Sequence, residues 1–159
     1  MIAKVVSGGQ TGADQAGLKA AFDFGIITGG YAPKNFETSE GPNRQLLQKK
    51  YGLVEYGEGY GPRTVQNVKA SDGTIRLAVD FQSPGEVLTL KAIEQYNKPW
   101  VDIHLDNPPE VIRLYSWIME HNINILNIAG NTEGKLGKPI FKMTYDYLHE
   151  LFTLMKEKA

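Results

Sequence analysis

Six residues near the start of the chain, Ser7-Gly8-Gly9-Gln10-Thr11-Gly12, have the types and spacing most suited to chemistry. Gly9 and Gly12 match the last two glycines of a GxGxxG pattern, and Ser7 stands in the place of the first. Gly9 permits a close backbone approach, and Gly12 lets the following helix pack near the preceding strand. The N–H groups of the first helical turn then face the rim and, with the helix dipole, favour an anion, above all a phosphate. The same glycines also suit a tight strand-to-helix turn that serves packing alone. No Lys-Ser or Lys-Thr follows Gly12, so this is not a Walker A loop. A dinucleotide site also wants an acidic residue closing the second strand. Here that strand ends Thr28-Gly29-Gly30-Tyr31, and the second anchor is missing.

Three further groups invite chemistry. Tyr31 offers a plane for stacking on a heterocycle and Lys34 a cation for a phosphate, although rim packing and solvation account for each as well. Arg63 opens a helix, where acids rather than cations suit the dipole, so an anion partner is expected for it, either a ligand phosphate or a nearby glutamate such as Glu55 or Glu58. Asn67, one turn on, faces the same way. In Ser83-Pro84-Gly85-Glu86, Ser83 can cap a helix and Gly85 gives backbone access. Glu86 either complements the helix dipole or acts as a general acid/base or ribose acceptor. Ser71-Asp72-Gly73-Thr74 reads as a turn at the opposite edge. His104, His121 and His149 lack ligand spacing, and Asp102, His104 and Asp106 alternate as a strand edge would, so no metal site is assigned.

The elements that position these groups follow from hydrophobic periodicity. Strands are expected at Ile2–Val6, Ile26–Thr28, Thr74–Val79, Pro99–Leu105 and Ile123–Ile128. Helices begin at Ala13, Arg63, Glu86, after Pro108-Pro109 and at Ile140, with a short one at Arg44–Tyr51 and a brief extended piece at Leu53–Tyr56. This alternation predicts an α/β fold: a mainly parallel five-stranded sheet covered on both faces. Ligands bind such sheets at the carboxyl ends of the strands, and four of the five loops expected there contain glycine. Seventeen of the 159 residues are glycine, above the usual ~7%, so the excess falls on one rim. The stretch Asn35–Pro62 is long for a connection, as lids and binding loops often are.

Composition sets the outer limits. A chain of 159 residues suits one domain, expected over residues 1–159. Seventeen basic against eighteen acidic side chains argue against a nucleic-acid coat. The absence of cysteine excludes disulfides, thiolate metal sites and a cysteine nucleophile. No apolar stretch approaches membrane-spanning length, and the expected setting is soluble and cytoplasmic.

In order along the chain, Ser7–Asp14, Gly29–Lys34, Arg63-Thr64 with Asn67-Val68, Ser71–Thr74 and Leu126–Gly130 resemble the putative molybdenum carrier family. That family is a branch of the Rossmann-like proteins that includes the cytokinin-activating phosphoribohydrolases. The resemblance runs over about residues 1 to 137. It implies a three-layer Rossmann-like fold, self-association, and binding of a nucleotide or a pterin phosphate such as the molybdenum cofactor. By position, Gly8, Gly9, Gln10, Thr11 and Gly12 would meet the phosphate, and Lys34, Arg63, Ser83 and Gly85 would complete the site. The chain departs from the family's Ser-Gly-Gly-Thr turn at Ser83–Glu86, and of the phosphoribohydrolase signature Pro-Gly-Gly-x-Gly-Thr-x-x-Glu only Pro84-Gly85 survive, with a glutamate beside them. Binding or carriage is therefore expected ahead of nucleotide hydrolysis through Glu86.

Overall fold

A computed structural model describes residues 1–159. Five strands form one parallel sheet: β1 (Lys4–Val6), β2 (Ile27–Gly29), β5 (Gly73–Ala78), β6 (Trp100–His104) and β7 (Ile125–Gly130). Their order is β2-β1-β7-β5-β6. The expected α/β architecture with a five-stranded sheet is present, and the last strand inserts between β1 and β5. Counted from β7 instead of β1, the same order reads 3-2-1-4-5, as in a Rossmann sheet. The switch point therefore lies between β7 and β5.

Strand alternation gives the two faces different chemistry. Val5, Ile75, Leu77, Leu126 and Ile128 join the main apolar core with α1 (Ala13–Asp23), α4 (Val111–Glu120) and α5 (Ile140–Lys158). The residues between them are Thr74, Arg76 and Asn127, all buried, on the side of α2 (Tyr60–Lys69) and α3 (Pro84–Tyr96). Each has a partner. Thr74 lies opposite Asn127, whose amide donates to its hydroxyl at 3.1 Å. Arg76 lies opposite Asp102 and donates two bonds of 2.7 Å to its carboxylate and a third, of 2.8 Å, to the Glu86 carbonyl. Asp102 is thus committed to an arginine rather than shared with His104 and Asp106.

α1 is rich in alanine and approaches the sheet closely. A β-carbon at Gly17 would come within 2.6 Å of the Ile128 side chain. α2 starts three residues earlier than expected and takes Pro62 into its first turn, where a missing N–H costs nothing. α3 starts at Pro84 and ends at Asn97, which is left-handed.

The long connection is ordered. β3 (Tyr31–Ala32) pairs in parallel with β4 (Val54–Glu55), and a π-helical turn at Gln45–Lys50 replaces the expected α-helical one. Ala32, Phe36, Leu47, Tyr51 and Leu53 close on Leu18 of α1 as a satellite core. No helix is long and apolar enough to cross a membrane.

Gly17→Ala tests the close approach of α1 to β7. Alanine improves helix propensity by ~1 kcal/mol, but the clash with Ile128 is expected to outweigh it and lower stability by about 1–3 kcal/mol, read as a lower urea midpoint.

Candidate functional site

A cleft of about 390 Å³ opens at the carboxyl ends of β5 and β7, a volume typical of small-molecule sites. Three segments build it: the start of α1 with its preceding loop, the start of α2, and the turn into α3 facing the loop after β7. Of the residues singled out from the sequence, Gln10, Arg63, Ser83, Gly85 and Glu86 line it. Gly8, Arg63 and Asn67 line a small cavity of about 10 Å³ that also shares Asp14 and Thr64 with the cleft.

The first glycine loop uses most of its own donors. The Gln10 amide donates to the Asp14 carboxylate at 3.1 Å, and the Thr11 amide to the Gln10 side-chain oxygen at 2.9 Å. The Ala13 amide donates to the Asn131 carbonyl at 3.1 Å, and the Gly9 amide to Ser7 Oγ at 3.4 Å. These amides are thus met by the chain's own oxygens, whereas those of Gly8, Gly12 and Asp14 donate to nothing in the chain. Gly9 has φ +81°, and a β-carbon there would strike Leu47 and Leu53 of the satellite core. Its close approach is to the core, not to the cleft. Gly12 similarly admits the Asn131 carbonyl and the Glu133 amide, so the loops after β1 and β7 interlock. The Thr11 hydroxyl lies 2.6 Å from the Ser39 hydroxyl, and the Ser39 amide donates to Gln10 Oε1 at 2.8 Å.

Arg63 is the inner cation. Its guanidinium packs against Gly8, where a β-carbon would come within 2.5 Å of it. Only 11% of the side chain is exposed. Nη1 donates to Thr64 Oγ1, Nη2 lies 4.0 Å from the Asp14 carboxylate, and Nε is buried without a partner. Burial draws the guanidinium below its ordinary range, and Asp14 opposes that shift. Burial likewise pushes the Asp14 carboxyl up to about 6, against the pull of Arg63 and the Gln10 amide.

The turn into α3 also supplies free donors. Ser83 makes no capping bond to the backbone, and the amides of Gly85 and Glu86 donate to nothing in the chain. The Ser83 hydroxyl donates to Glu86 Oε2, which also accepts from Asn131 Nδ2 at 3.0 Å. Burial raises the Glu86 pKa, and these two bonds oppose the rise. Asn131 holds the switch point together: its Oδ1 accepts from the Val79 and Asp80 amides at 2.8 and 3.1 Å, and its Nδ2 reaches the Asp80 carbonyl at 2.8 Å.

Tyr31 and Lys34 stand apart from the cleft. Lys34 is exposed and paired with Glu58 at 3.2 Å, and Tyr31 meets Tyr56 edge to face. Asn67 is spent on the Tyr31 backbone, accepting from its amide at 2.9 Å and donating to its carbonyl at 3.0 Å. Sequence reasoning did not single out Tyr60, Asn131, Lys135 and Leu136 as part of the site, and quoted Asp14 only within a motif. Asn131 was open to discovery as the polar residue ending the last strand's glycine.

A model of the circularly permutated YpsA SLOG family matches residues 5–152. Among solved structures, the chain is similar to a putative molybdenum carrier protein from Syntrophus aciditrophicus SB, known from a crystal structure at 1.45 Å. The two are 37% identical over 94% of each chain, with a TM-score of 0.84. A search of curated proteins finds no match. The relationship expected from the sequence is borne out, and the permutation agrees with a Rossmann order that begins at β7.

The raised Asp14 pKa makes stability depend on pH. Between about pH 4 and 6 the folded chain keeps a proton that the unfolded chain has released, so stability falls as pH rises through that window and stays low above it. Asparagine never ionises. Asp14→Asn is thus expected to raise stability at pH 8 by on the order of 1–3 kcal/mol and to change it little at pH 4, measured by urea unfolding at both.

Proposed function

The chain belongs to the circularly permutated YpsA SLOG family, and from that premise we propose that its cleft binds a phosphorylated heterocycle, a nucleotide or a pterin phosphate, for carriage rather than turnover. The observation that carries this reading is Arg63, a buried guanidinium with an unused Nε, on the same cleft as the free amides of Gly85 and Glu86. Guanidinium and helix N-terminal amides together suit a phosphate. Tyr60, Leu88 and Leu136 give the same cleft apolar surface for a ring, and Lys135 brings a second cation to its wall. In this reading the first glycine loop shapes the floor, with Gln10 at the cleft and Gly8 beneath Arg63. Ser7, Gly9, Thr11 and Gly12 hold it in place.

A molybdenum cargo fits one condition. The chain offers no cluster of three histidine, cysteine or acidic side chains, so a carried metal would arrive already chelated, as it is in a pterin cofactor with its own sulfur ligands. A second reading, nucleotide hydrolysis, is favoured by one feature: Glu86 is a buried carboxyl with a raised pKa on the cleft wall. Its Oε2 is already occupied by Ser83 and Asn131, which suits a positioned acceptor as well as an acid.

Titration calorimetry against nucleoside monophosphates, phosphorylated pterins and molybdate is expected to find a ligand. Arg63→Gln should weaken it at least about tenfold, while Lys34→Ala leaves affinity unchanged. An Arg63→Gln variant with full affinity overturns the reading. Chromatography of nucleoside monophosphates incubated with the protein should show no free base. Base released by the native chain and not by Glu86→Gln would replace carriage with hydrolysis.

A further inference from the structure

Asp14 occupies an unusual place for an acid in an anion site. It lies in the first turn of α1, accepts the Gln10 amide through Oδ2, and has Arg63 as its nearest cation at 4.0 Å. Oδ1 receives no hydrogen bond from the chain, and the residue lines the cleft although it is only 6% exposed. The carboxylate thus sits on donors that an incoming oxyanion would use.

The local charge count sharpens the problem. Facing Asp14 are Arg63 from α2 and Glu86 from α3, the second a like charge that adds to the cost of ionising Asp14. No histidine lines the cleft, and Lys135 stands on the loop after β7. With both acids ionised, the inner groups sum to one negative charge. A fully ionised oxyanion entering there would meet two carboxylates and one guanidinium in a poorly solvated space, an unfavourable balance at short range. A proton placed between the ligand and Asp14 removes it: the ligand's P–OH donates to Oδ1, and repulsion becomes a charge-assisted hydrogen bond.

We propose that Asp14 is the specificity-determining residue of this cleft, selecting oxyanions that carry a proton, such as phosphate and its monoesters, against oxyanions that cannot, such as sulfate. The inference rests on the reading of the cleft as an anion site. Phosphate monoesters hold a second proton with a pKa of about 6, so they can bring the proton themselves or take it from solvent on binding. Sulfate brings none at neutral pH. Burial that raises the Asp14 pKa to about 6 makes the carboxyl a partner of matched proton affinity.

The test follows the amides of Gly85 and Glu86 and the Arg63 Nε by ¹⁵N nuclear magnetic resonance, with inorganic phosphate and inorganic sulfate as the probes. At pH 8, where Asp14 is ionised and inorganic phosphate still carries one P–OH, phosphate should bind at least about tenfold more tightly than sulfate, and the preference should shrink at pH 5, where a protonated Asp14 can donate to sulfate. In Asp14→Asn, whose amide can donate to either anion, sulfate should gain and the preference should shrink several-fold. Equal affinities in the native chain, or a preference that Asp14→Asn leaves intact, overturn the proposal. The native comparison stands alone if the variant does not fold. Should neither probe shift these nuclei in either protein, the anion site itself is refuted and the role of Asp14 with it.

Discussion

Arg63 carries a full charge into a region where 11% of its side chain meets solvent, and the arrangement of the cleft follows from that. A buried guanidinium is tolerated only with countercharge and acceptors. Asp14 supplies the first and Thr64 the second, yet Nε stays unsatisfied. The flat group fits because Gly8 beneath it has no side chain. Gly8 must therefore be small for Arg63, and Asp14 stands beside Arg63 although burial outweighs the attraction between the two charges. Each pays in turn with a constraint on the loop after β1.

The second support is the polar face of the sheet. A strand covered on both sides ordinarily turns apolar residues both ways, but β5 and β7 present Thr74, Arg76 and Asn127 toward α2 and α3. Cross-strand pairing satisfies them, and the Arg76 bond to the Glu86 carbonyl ties that network to the first turn of α3. Asn131 extends it across the switch point to Glu86. The free amides of Gly85 and Glu86 are thus held at a fixed place relative to Arg63 without help from a ligand. Such preorganisation reduces the ordering cost of binding.

The alternation of strands and helices was legible in the sequence because each element carries its own period. Arg63, Ser83, Gly85 and Glu86, which the sequence places at the carboxyl-end rim, line one cleft. Strand order was not legible. Nothing local to Ile125–Gly130 says that it enters between β1 and β5, since that is decided by which faces the helices cover. The roles of individual glycines were also hidden. Gly9 and Gly12 have the spacing of a phosphate loop, but their contacts are with Leu47, Leu53 and the loop after β7. A glycine pattern records that something approaches the backbone, not what approaches. Tyr31 and Lys34 follow a strand end, yet β3 pairs with β4, and the two side chains meet Tyr56 and Glu58, contacts that no local pattern announces.

Rotation of the strand order sets the first loop, for all its likeness to a phosphate loop, one strand away from the switch point. In a Rossmann sheet the strand flanking the switch point on the dinucleotide side is counted first, and its loop meets the phosphate. Here that strand is β7, which comes last. Its loop, from Gly130 through Leu136, borders the cleft and also grips the start of α1 through the Asn131 carbonyl and the Glu133 amide. The loop after β1 is displaced one strand outward, where the Gln10 amide closes on Asp14 and Gly9 abuts the satellite core. The start of α3 instead lies on the inner side, where its Gly85 and Glu86 amides stay unpaired on the same cleft as the buried Arg63 of α2, so that the donors left over by the chain gather at the switch point rather than on the loop after β1.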